Sequence, residues 1–166
     1  MDNSDIRKFN DPVLREKAER VEEITDDIRK LIDKMAERVL KDNQVAGLAA
    51  PQVGIGKKIA IVKTDFKKPE VLVLINPKII RKGRETEIGE EGCLSFPGVF
   101  LKIRRVKEVE VESMNMDGKT IKIQAEGMKA RIFQHEIDHL NGVLFFHRLD
   151  FLKKIKFMLK NPSLKL

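Results

Sequence analysis

Apolar positions recur at helical spacing across "TDDIRKLIDKMAERVLKDN". Ile28, Leu31, Ile32, Met35 and Val39 fall on one face of a 3.6-residue repeat. Thr25 stands where a helix needs a cap, and Asp26 and Asp27 suit the positive end of its dipole. The period then changes. "KIAIVK" and "VLVLINPKII" are nearly continuous runs of Ile, Val and Leu, whereas "VKEVEVESMN" and "KTIKIQAE" alternate apolar with polar residues, as half-buried strands do. Asp117-Gly118 between the last two predicts a hairpin. Helical spacing returns in "MKARIFQHEIDHLNG", closed by Asn141 and Gly142, and in "LDFLKKIKFMLKN", with lysines opposite its apolar side. The predicted fold class is α+β: mostly antiparallel sheets around a central helix carrying an H-E-x-x-H motif, with an N-terminal and a C-terminal helix.

A chain of 166 residues predicts one catalytic-sized domain over 1–166, with 151–166 as a basic C-terminal helix or tail. Hydrophobic residues at 42% and charged residues at 36% fit a globular protein. No apolar run approaches the roughly 20 residues of a membrane helix. The opening "MDNSDIRKFNDPV" has no apolar signal core. A cytoplasmic protein without a membrane partner is the expectation. The net charge of +7 is spread over scattered lysines, and Trp and Tyr are absent. That argues against a stacking platform for single-stranded nucleic acid, and DNA is not expected as a partner. The single cysteine, Cys93, forbids a disulfide within the chain.

Two of the three histidines are His135 and His139. Four residues on a helix advance the direction by about 40°, so both project from one face and can share a metal ion. Glu136 sits about 100° round, where a carboxylate can reach a water on that ion without ligating it. Met128 and Ile132 extend the histidine stripe, so this face is predicted to look inward. A catalytic metal site ordinarily has a third protein ligand. Downstream, Gly142 fits the long metalloprotease pattern, but its last His position holds Phe145 and His147 lies two residues too far. No Glu follows Glu136, and Asp150 remains a candidate. Upstream, "EEGCLSFPG" places Cys93 in a turn-like stretch, where a thiolate could complete a Cys-plus-two-His set and leave a fourth position open. Ligand rules alone favour zinc for that set.

Three separated segments resemble the signature motifs of peptide deformylases, in the same order: "GLAAPQ" (47–52), "EGCLS" (91–95) and "QHEIDH" (134–139). "DPVLR" and "NGVLF" resemble the same family, so the likeness spans roughly residues 9–150. The resemblance implies hydrolysis of the formyl group from the N-terminal formyl-methionine of new polypeptides, releasing formate. It implies Cys93, His135 and His139 as metal ligands and Glu136 as general acid/base. The Gln52 amide and the Leu94 backbone N–H would stabilise the oxyanion. Gly47 and its neighbour Ala46 would pair with the substrate backbone as a strand would, and Gly92 would also bind substrate. It implies one divalent metal per chain, natively Fe(II), with Zn, Ni or Co as substitutes. Methionine selection needs an apolar pocket, for which Ile132 and Met128 are placed, with Phe96 and Phe100 bordering the cleft. The basic C-terminal segment is a candidate for transient ribosome contact. One position departs from the family: Val45 stands where a Gly is usual, and a positive φ there would strain it. The rival readings are a metalloprotease or other amidase, with His147 or Asp150 as third ligand, and a deformylase-like fold kept as a binding module.

Overall fold

The computed structural model describes residues 5–65, 68 and 70–162. Residues 163–166 of the basic tail and the first four residues of the opening lie outside the described residues. Helix α1 (Asp26–Lys41) starts at Thr25, whose Oγ1 accepts from the Ile28 N–H at 3.4 Å. It buries Ile32, Met35 and Val39, with Ile28 and Leu31 partly covered. Strands β1 (Gly47–Ala49), β2 (Ile59–Asp65), β3 (Glu70–Lys82), β6 (Glu108–Met114) and β7 (Thr120–Glu126) form an antiparallel sheet in the order β1-β2-β3-β6-β7. β2 explains its own lack of alternation. Ile59 and Ile61 join the cluster under α1, whereas Ala60 and Val62 join the cluster under helix α2 (Gly127–Leu140) on the other face. Ala49, Ala60, Ala125 and Ala130 line that second interface and let α2 sit close to the sheet.

β4 (Thr86–Cys93) and β5 (Phe96–Val106) form a separate two-stranded sheet that the hydrophobic pattern did not announce. Cys93 is therefore the last residue of a strand, immediately before the tight turn into Phe96, rather than part of an irregular stretch. Beneath this hairpin, Phe96 and Ile103 pack with Leu14, Leu144, Phe145 and Phe146. β3 also departs from its simple reading. Asn76, just before Pro77, adopts φ +53°, the register slips there, and the Asn76 side chain exchanges two hydrogen bonds with the Val21 backbone at 2.8 and 2.9 Å. A bulge is where a sheet tolerates proline. The Asp117-Gly118 hairpin forms as predicted, with Gly118 at φ +77°. Gly142 closes α2 at φ +70°, and a Cβ there would stand 2.3 Å from the Arg15 carbonyl oxygen.

The last helix, α3 (Phe151–Lys160), buries no residue. It touches the body through Phe157, whose ring lies 5.5 Å from that of Phe146. Phe151, Leu152, Ile155 and Leu159 are exposed. Among the described residues, no helix is long and apolar enough to cross a membrane.

Candidate metal centre and active site

The fold brings the turn after β4 against the middle of α2. Cys93 Sγ lies 3.3 Å from His139 Nε2, and the His135 and His139 rings are 5.0 Å apart. One donor atom from each of Cys93, His135 and His139 falls within 4.8 Å of the others, and among the described residues this is the group able to hold a metal. Bonds of ~2.3 Å to sulfur and ~2.1 Å to nitrogen at a tetrahedral angle put the two donors roughly 3.6 Å apart, so the observed spacing fits one ion. His147 is elsewhere: its Nδ1 accepts from the Leu144 N–H at 3.2 Å. Asp150 is exposed and pairs with Lys153. Neither rival third ligand approaches the histidine pair, and the sulfur does.

His135 is oriented from behind. Its Nδ1 lies 3.0 Å from Glu91 Oε2, so an Nδ1 proton donated to that carboxylate leaves Nε2 for a metal. Glu91 is itself gripped by Arg105 through two 2.9 Å bonds and by Arg131 at 2.8 Å. Arg105 also reaches Asp138, which Arg148 holds through both carboxylate oxygens. Burial opposes ionisation of Glu91, but hydrogen bonds from Arg105 and His135 outweigh it and keep the carboxyl well below the usual range. Burial likewise opposes a thiolate at Cys93, yet the charge and hydrogen bonds of His139 and His135 hold its pKa well below the ordinary value. The sulfur is thus poised in its ligating form. Glu91 lies inside the "EGCLS" motif, which was the available sign of its importance. Arg105 and Arg131 carried none, because charged residues default to the surface.

Glu136 is 4% exposed, and its Oε2 has no hydrogen-bond partner among the described residues. Burial pushes its carboxyl up to about 7, with His135 and His139 pulling the other way. Gly47 faces it: a Cβ on Gly47 would lie 2.6 Å from Glu136 Oε1, so only glycine lets β1 pass this close. Gln52 is fixed by its own loop. Its Oε1 accepts from the Ala49 N–H at 2.9 Å, which turns the amide NH₂ toward Cys93 Sγ and Ser95 Oγ, each at 3.4 Å.

These groups open onto a cavity of about 730 Å³. Gly47, Gln52, Cys93, Leu94, His135 and Glu136 line it, together with Ala46, Gly92 and Ile132. His139 is 1% exposed and stands behind it. Ile132 is buried as expected of an inward face, but Met128 is 59% exposed and lines the mouth, one turn too early to be covered. Phe100 also stands at the mouth, and a Cβ on Gly92 would lie 2.7 Å from its ring. Phe96 lines the cavity from the core beneath. Val45 is not strained, since Asn76 is the positive-φ residue other than glycine among those described. It is buried in the α1 cluster, so its side chain is absorbed by packing.

The model of the polypeptide deformylase family matches residues 3–155. The chain belongs to the peptide deformylases. The peptide deformylase of Halothermothrix orenii is 50% identical over 123 residues, 74% of this chain and 77% of that one. That of Thermodesulfovibrio yellowstonii is 43% identical over 125 residues, 74% of each chain. The crystal structure of the Thermotoga maritima peptide deformylase superposes with a TM-score of 0.81 at 42% identity, covering 87% of this chain and 96% of that one. A Synechococcus elongatus peptide deformylase in complex with actinonin superposes with a TM-score of 0.86 at 39% identity, covering 97% and 88%. This deformylase is accordingly a metal-dependent hydrolase that removes the N-terminal formyl group from nascent polypeptides.

Proposed function

We propose that Cys93, His135 and His139 ligate the metal of this deformylase, that Glu136 is its general acid/base, and that Gln52 and Leu94 stabilise the oxyanion. The observation that carries this is the convergence of the Cys93 sulfur on the paired imidazoles. When bound, the divalent cation acts as a Lewis acid and lowers the pKa of a water toward neutrality. Glu136 accepts the proton of the attacking water and returns it to the departing amine; a carboxyl raised toward neutral pH suits both steps. The Gln52 NH₂ and the Leu94 N–H donate to the oxygen that gains charge as the formyl carbon becomes tetrahedral. The formyl carbon carries only hydrogen, which lets it reach a recessed site.

β1 is the edge strand of its sheet, so the peptide backbone of a substrate can pair beside Gly47 and Ala46, with Gly92 opposite. Ile132 and Met128 then border the methionine side chain. The donor set alone favours zinc, whereas the family likeness implies Fe(II). We assign Fe(II) as the native ion, with Zn, Ni and Co as substitutes. An Fe(II)–thiolate site is vulnerable to oxidation, so the test is formate release from a formyl-Met peptide by protein prepared anaerobically with Fe(II) or Ni(II), beside Cys93→Ala and Glu136→Ala. Full activity in either variant contradicts the assigned roles.

The whole chain acts as one catalytic domain in the cytoplasm. The lysines of α3 supply a transient contact with ribosomal RNA phosphates. Ribosome pelleting with and without residues 151–166 tests that contact, and equal, salt-insensitive recovery removes it.

A further inference from the structure

We propose that Arg131 is a positioning residue of the metal centre: it locks α2, which carries the two histidines, to the β4–β5 hairpin, which carries the sulfur. The inference rests on reading Cys93, His135 and His139 as the ligand set. Those residues come from two units with separate backbone hydrogen bonding. No ladder fixes the distance between the sulfur and the imidazoles, so side chains that cross between the units must do so.

Arg131 lies one helical turn before His135 and is 4% exposed. Its Nη1 donates to Glu91 Oε1 at 2.8 Å, to the Ile103 carbonyl at 3.0 Å and to the Gly89 carbonyl at 3.4 Å, and its Nη2 donates to the Glu87 carbonyl at 3.3 Å. One guanidinium thus holds main-chain oxygens of both β4 and β5. A carboxylate can be re-aimed by a change of rotamer, whereas a strand carbonyl cannot, so these bonds define where the hairpin sits. Residues 87, 89 and 91 alternate along β4 and lead directly to Cys93. The planar fork of an arginine suits several fixed acceptors at once, which a lysine cannot match. Gly89 makes the approach possible: a Cβ there would lie 2.8 Å from Arg131 Cζ. Charge pairing alone does not explain the residue: Arg105 already binds both oxygens of Glu91, and the other carboxylate near Arg131, that of Glu87 at 3.5 Å, is 39% exposed.

The test measures Co(II) affinity by competition with a chelator and records the sulfur-to-cobalt charge-transfer band of the Co(II) protein. Melting of the metal-free protein reports folding. Arg131→Met keeps the apolar stem and removes the donors. It is expected to weaken Co(II) binding about 10- to 100-fold and to alter the band, with Arg131→Lys lying between it and the wild type. Wild-type affinity and spectrum in Arg131→Met overturn the assignment. If that variant does not fold, Arg131→Lys decides alone, and wild-type values there overturn it. Cys93→Ala run in parallel separates the two readings. Retention of affinity and band by Cys93→Ala defeats the ligand set itself, whereas their loss there beside unchanged Arg131 variants defeats only the positioning role.

Discussion

The five-stranded sheet and the two-stranded hairpin are held in place by different forces. The larger sheet is covered on both faces by apolar side chains, α1 on one side and α2 on the other. Such contacts are numerous and non-directional, and no single one defines a position to a fraction of an ångström. The hairpin has a smaller apolar support, centred on Phe96 and Ile103. Its register against α2 is set by directional polar links: Arg131 to β4 and β5, Gln134 to the Val106 backbone at 2.9 and 3.3 Å, and Arg105 to Asp138. The reactive sulfur sits on the second kind of support. Precision at the metal centre is bought with buried charge, and breaking one partner of a buried pair typically costs about 3–5 kcal/mol.

The largest expected effect touches neither support. Glu136→Gln keeps the side-chain volume beside Gly47 and removes the proton carrier. Formate release should fall by about 10²–10⁴, while metal content and melting temperature stay near wild type. A variant that also loses its metal would place Glu136 among the ligands instead. Gln52→Ala comes next, with an expected loss of about 10²–10³ in kcat, or roughly 3–4 kcal/mol. Steady-state kinetics with a formyl-Met peptide decide it, and a rise in KM alone would assign Gln52 to substrate binding rather than to the oxyanion.

Glu91→Gln attacks the hairpin's polar frame directly. Metal affinity should fall about 10- to 100-fold, read by chelator competition. The same change alters the acid limb of stability in the metal-free protein. Hydrogen bonds and charges around Glu91 and Asp138 lower both pKa values on folding, against the opposing effect of burial. Their contribution is therefore complete above the unfolded carboxylate values of about 4 and is lost as pH falls through the folded ones. Wild-type melting temperature should drop below about pH 4, and Glu91→Gln should flatten that drop. An unchanged acid limb would show that the ionised Glu91 carboxylate contributes nothing to folding.

The same contrast decides how far the sequence could be read. Ile32, Met35 and Val39 announced α1 because one apolar face against one core gives a clean 3.6-residue repeat. β6 and β7 announced themselves by alternation. β4 did not, since the alternate positions of "TEIGEEGC" that turn inward are Glu87, Gly89, Glu91 and Cys93 rather than large apolar residues, and that face is met by arginines from elsewhere in the chain. β5 begins Phe96-Pro97-Gly98, which reads as a turn. The histidine pair was legible through its spacing, a local property. Cys93 needed a contact across 46 residues of chain; the lack of a downstream ligand and its turn-like surroundings made it a candidate, and the three motifs together singled it out. Arg105 and Arg131 stayed hidden, because burial of a charged group depends on partners that no local pattern displays. In α3 the pattern predicted the helix, but the exposure of Phe151 and Leu152 depends on what packs against it, which amphipathicity does not specify.

The smallest expected effect tests the other half of the contrast. Ile61 is fully buried between β2 and α1, on the face away from α2. Ile61→Val removes one methylene and should cost about 0.5–1.5 kcal/mol of stability, measured by denaturant unfolding of the metal-free protein. Its cost should be the same at pH 7 and near pH 4, since no titrating group touches the lost contact. Metal affinity should stay at the wild-type value, because the apolar sheet supports the centre without setting its geometry. A weakened metal site in this variant would mean that packing on the α1 face is transmitted through the sheet to α2, and the division of labour between the two regions would fail.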